Sequence, residues 1–182
     1  MQENERIILQ TECWIKSVVI DLNFCPFAAK AMLKKQIHYT VAPDADVKKS
    51  LEILTKELDF LETNSQFETT FILFSNSFLD FSAYLILVKK AERLLSKLGY
   101  DGVYQIASFH PDYCFADAEM DDAANFTNRS VYPMLHLLRE ESITKALKTF
   151  KNPENIPQQN INVTRQKGLH YMQMLRAACL DG

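Results

Sequence analysis

Between residues 37 and 109 three short apolar segments alternate with two long amphipathic ones, and this alternation limits the possible folds more than any other feature of the chain. IHYTVA (37–42), TTFILF (69–74) and VYQIASF (103–109) have the length and the β-branched and aromatic content of strands. TTFILF is apolar without a break, as in a strand buried on both faces. Between them, residues 43–62 place Val47, Leu51, Leu54, Leu58 and Leu61 at three- and four-residue spacing behind an acidic cap. Residues 80–98 repeat that helical pattern and end at Gly99. Strand, helix, strand, helix, strand is the α/β order. With right-handed crossovers it predicts a small, mainly parallel sheet of three or more strands flanked by helices. An added antiparallel strand, or a ferredoxin-like variant, is the alternative.

The flanks are expected to be helical. In residues 5–22, Ile7, Trp14, Ile15, Val18 and Leu22 share one face, and Asn23 can end that helix in a left-handed conformation. Pro26 suits the first turn of a second helix through AAKAMLKK. After an irregular segment at 110–131, extra C-terminal helices are expected at 133–150 and, beyond NPENIPQQN, at 161–180. The chain of 182 residues suits one domain, 1–182, with a sizeable core.

A net charge of −3 with no Lys/Arg block argues against a nucleic-acid surface. The apolar runs fall far short of the roughly 20 residues of a membrane span. The acidic, polar start MQENERIILQ does not read as a signal peptide, so the cytoplasm is the expected compartment. The four cysteines form no CxxC pair and are expected to be free thiols.

In open α/β sheets, ligands bind beyond the carboxyl ends of the strands, and FHPDYCF (109–115) leaves the third strand there. His110, held extended by Pro111, is a candidate general base, with Asp112 and Tyr113 beside it. Cys25, just ahead of Pro26 at a helix start, is a candidate nucleophile, because helix N–H groups lower a thiol pKa from about 8.5. The alternative is a small buried hydrophobe between Phe24 and Phe27. The loop 116–133 carries Asp117, Glu119, Asp121 and Asp122, then Asn125, Asn128 and Arg129. Arg129, with the two asparagines, is a candidate clamp for a carboxylate or phosphate; an ion pair to the acidic loop is the other reading. On the expected helix at 133–150, His136 and Glu140 stand four apart with Arg139 adjacent. This makes His136 a third catalytic candidate and Arg139 and Glu140 candidate substrate binders. The acidic loop lacks EF-hand spacing and no HxxxH pair occurs, so no metal ligands are assigned.

LNFCPFA, ASFHPDYCFA and NFTNRSVYPMLHLLREES together resemble the domain of unknown function 1415 family, whose members read LNLCPFA, FHPDYQFA and NRSPYPxxHLLRE. The likeness runs from the Trp14 helix to the helix expected after 133. The chain departs from the pattern at Phe24, at Cys114 in place of glutamine, and at Val131 in place of proline. The resemblance implies a bacterial cytosolic protein and marks the motif positions, but it implies no activity and no cofactor. Three readings follow from the residues. One is an enzyme acting on a small anionic substrate through a Cys/His/Arg site. Another is a non-catalytic module that binds a small molecule or a partner. The third is a metal-binding protein using His110, His136, Glu140 and the acidic loop.

Overall fold

A computed structural model describes residues 2–148 and 152–181. Helix α1 (Glu3–Trp14) continues into a π-helical segment (Ile15–Ile20), and after a turn α2 (Ala28–Leu33) leads to β1 (Ile37–Val41). Next come α3 (Val47–Thr63), β2 (Thr69–Leu73), α4 (Phe81–Lys97) and β3 (Tyr104–Phe109). The side chains of Asp46 and Asp80 cap α3 and α4, accepting from the N–H groups of Lys49 and Ala83. Gly99, at φ +81°, closes α4 in the left-handed region, and Asn23 takes φ 57° where the first helical stretch ends.

The sheet is not the mainly parallel three-stranded one expected. It has four strands in the order β1-β2-β4-β3, where β4 is Met134–Arg139. β1 pairs parallel with β2, and β4 runs antiparallel to both β2 and β3. The three expected strands therefore do point the same way, but β4 is wedged between the second and third.

Residues 133–150 were expected to form one helix. Instead 134–139 is this central strand, and α5 (Glu140–Leu147) follows it directly; positions 149 and 150 lie outside the described residues. A strand covered on both faces shows no polar alternation. Met134, Leu135, Leu137 and Leu138 are all buried, so the run imitates a buried helix. A short 3-10 turn (Ala123–Thr127) lies in the long loop before β4. The expected C-terminal helix is divided at Gly168, φ +85°, into α6 (Ile156–Lys167) and α7 (Leu169–Ala178).

Each sheet face has its own core. On one, Ile72, Leu135 and Leu137 pack against Leu54 and Leu58 of α3 and Tyr84 and Leu87 of α4. On the other, Phe71, Leu73 and Met134 meet Trp14, Ile15 and Val18 of the first helical stretch, Phe126, and Met172 of α7. Among the described residues no helix is long and apolar enough to cross a membrane.

Candidate functional site

The turn after the π-helical segment delivers Cys25 to the second face. Phe24 N–H closes back on Val19 O at 2.8 Å, and Ala28 N–H bonds Cys25 O at 3.3 Å as α2 begins. Burial pushes the Cys25 thiol pKa up from its ordinary value, against the weaker opposing pull of the Phe27 and Ala28 N–H groups on sulfur. The side chain is therefore a neutral thiol at physiological pH.

His136 reaches the same face from the middle of β4, directly opposite Phe71 on β2 and Ala107 on β3. Its ring stacks on Phe71, with centroids 3.8 Å apart and planes 9° from parallel. Nε2 lies 2.6 Å from Thr69 Oγ1. The Thr69 hydroxyl also bonds Leu137 O. A hydroxyl has one proton and the carbonyl can only accept it, so Thr69 donates to Leu137 and accepts from His136 Nε2–H. The proton thus sits on Nε2, and Nδ1 carries a lone pair. Burial lowers the His136 pKa to about 3, so the ring is neutral across the physiological range.

Cys25 and His136 line one cavity of about 180 Å³ between the sheet and the helical layer above it. Trp14, Val19, Phe27, Phe71 and Phe109 form much of its wall, and no charged side chain among the described residues lines it. Cys25, Val19 and Phe109 also border a wider recess of about 320 Å³, where Thr127, Asn128 and Asn160 supply polar groups. Cys25 thus stands between an apolar chamber and a more polar vestibule.

His110 is placed differently. It is fully buried; Nδ1 accepts from Asp112 N–H at 2.9 Å and Nε2 donates to Phe78 O at 2.9 Å. Both ring nitrogens are occupied by backbone, and burial lowers its pKa. The Arg129 guanidinium donates to Tyr113 O at 2.8 Å and Met120 O at 2.7 Å, and lies over the Phe126 ring. Asn125 accepts from Phe115 N–H and donates to Glu119 O, while Asn128 donates to Ser108 O. Arg176 of α7 bonds Pro111 O and shares the Phe126 ring with Arg129. The Asp112 side chain is exposed, and Tyr113 packs on Phe81 and Phe115. These groups fasten loop 110–130 to itself and to its neighbours. Residues 6–174 match the family described as Protein of unknown function (DUF1415). The chain belongs to that family. No curated protein and no solved structure matches it.

In this DUF1415 chain the sequence candidates thus separate into two sets. Cys25 and His136 share the apolar cavity, with Asn128 in the neighbouring recess. His110, Asp112, Tyr113, Asn125 and Arg129 belong to the loop. Arg139 belongs to neither set: it donates to Tyr104 Oη at 2.6 Å, bonds Leu61 O and lies 3.8 Å from Glu62, lining a separate charged basin. Glu140 opens α5, and its N–H bonds Val103 O at 2.9 Å. With 134–139 in a strand, His136 and Glu140 no longer share a helix face. Among the described residues no three His, Cys, Asp or Glu side chains gather to hold a metal ion. Sequence reasoning missed Thr69 and Phe71, which fix the His136 tautomer and ring plane. A threonine and a phenylalanine in a buried strand carry no signal until their cross-strand partner is known.

Proposed function

We propose that this DUF1415 protein binds a small, uncharged molecule in the Cys25–His136 cavity, with both side chains neutral. The observation that carries the reading is the convergence of these two residues, 111 positions apart, on one chamber without charged walls. An isolated anion placed there would lose its hydration without a counter-charge, so the walls favour a neutral ligand over an anionic one. The chamber is of the size that holds a single ring: an engineered apolar cavity of about 150 Å³ binds benzene.

Trp14, the only tryptophan, is part of the wall and reports on occupancy. Titrating toluene and benzoate while following tryptophan emission tests the reading. Toluene is expected to give a saturable change that Ala31→Leu, which fills the chamber, removes; benzoate is expected to give none. Saturation by benzoate alone, or by no neutral ring compound, overturns it.

A second reading, catalysis by Cys25, is supported by the Phe27 and Ala28 N–H groups directed at its sulfur. It requires a thiolate near neutral pH. Iodoacetamide labelling of the Cys25 peptide with a midpoint below pH 8 favours that reading, and a midpoint above about 9 rejects it.

A further inference from the structure

The cavity wall is almost wholly apolar, and one of its residues, His136, has an acceptor left without a partner. His136 Nε2 is committed to Thr69, and Thr69 to Leu137 O. For Nδ1 no partner exists among the described residues. The fully buried side-chain oxygens and nitrogens that lack a partner are those of Thr70 and Ser75, so Nδ1 keeps accessible surface, and the surface His136 lines is the cavity. The stack on Phe71 fixes the ring plane, so this lone pair has a fixed direction. An acceptor on an otherwise apolar wall is costly to cover with hydrocarbon and favourable to cover with a donor.

We infer that the ligand is a small neutral ring or short chain bearing one hydroxyl or N–H group, which docks by donating to Nδ1 of His136. The inference rests on the proposed use of this cavity and adds the hydrogen-bonding character of its occupant. Phenol has the class of shape and donor required; toluene is its near-isostere without the donor. An ammonium donor does not fit, since a cation in these walls has no carboxylate to meet. A carboxylic acid does not fit in its ionised form either. A site built around a buried hydrogen-bonding group rejects analogues that leave the group unpaired, whereas a purely apolar pocket hardly distinguishes such pairs.

The test compares phenol with toluene on the intact protein, by Trp14 emission and by ¹⁵N spectra of histidine-labelled protein. Phenol is expected to bind about 10-fold more tightly than toluene, the factor that corresponds to a net hydrogen bond of roughly 1.4 kcal/mol. Phenol is also expected to shift the unprotonated Nδ1 resonance of His136 while toluene leaves it in place. In His136→Phe, which keeps a ring on Phe71, the preference is expected to fall below about 2-fold. Equal binding of phenol and toluene to the wild type overturns the donor inference and leaves the neutral-ligand reading standing. Binding of neither overturns both. Should His136→Phe fail to fold, the wild-type spectra still decide: a phenol-saturated protein with an unmoved Nδ1 resonance contradicts the inference.

Discussion

Two histidines of this chain, the fully buried His110 and the half-buried His136, differ in how their second nitrogen is used. At His110, Asp112 N–H and Phe78 O occupy both sides of the ring, and the imidazole acts as a rigid spacer between two loops. At His136, Thr69 takes one side, and the other nitrogen has no hydrogen-bond partner among the described residues in a ring that lines a cavity. Both rings are held neutral by burial, and only at His136 does a ring nitrogen lack a partner among the described residues. The same contrast separates the cationic and polar candidates around Phe126, which donate to backbone carbonyls, from the uncharged chamber around Cys25. A functional residue type becomes a site only after the backbone has been satisfied.

The largest effect that sharpens this comparison is expected on the loop side. Arg129→Ala removes the donors to Tyr113 O and Met120 O and a guanidinium from the Phe126 ring, and is expected to lower stability by about 3 kcal/mol in urea unfolding. A loss below roughly 1 kcal/mol would mean the loop is not fastened by this residue. His110→Ala breaks two backbone hydrogen bonds in a buried site and is expected to cost about 2 kcal/mol, without weakening toluene binding to the cavity.

The acid limb of the stability curve reports on His136. Its folded pKa of about 3 lies below its ordinary value of 6.5. Stability from the neutral ring is complete above pH 6.5 and declines as the pH falls from 6.5 toward 3, because the unfolded chain takes up a proton the folded chain refuses. The slope is at most about 1.4 kcal/mol per pH unit for this one group, and His110 adds in the same direction. His136→Phe is expected to flatten the curve in that interval; an unchanged slope contradicts the burial assigned to His136. The smallest effect belongs to Cys25→Ala, which removes one sulfur from the chamber wall and is expected to cost about 1 kcal/mol with toluene binding retained. Loss of folding in this variant would give Cys25 a structural weight the packing does not show.

Helices α3 and α4 and strand β2 were legible because each carried its own local signal: helical periodicity with caps at Asp46 and Asp80, and an unbroken apolar run at 69–74. β4 was not, because Met134–Leu138 is buried on both sides and is followed at once by helix-forming Glu140 and Glu141, so the two joined elements read as one helix. That single misreading also placed His136 beside Glu140 instead of opposite Phe71. Cys25 and His136 were legible as candidates by residue type and setting, but their meeting in one chamber depends on strand order, which no local pattern encodes. The burden carried by His110 and Arg129 was hidden for a related reason: their partners are backbone carbonyls and amides, which every residue possesses.

Where a small neutral molecule binds distinguishes the two histidines most directly. Chemical-shift mapping of ¹⁵N-labelled protein during titration with phenol places the response residue by residue. The expected result is a saturable perturbation of Ala28, Ala31, Phe71 and His136, with Tyr113, Met120 and Asn125 unmoved. Perturbation centred on Tyr113, Met120 and Asn125, with the cavity residues silent, would reverse the roles assigned to the two histidines.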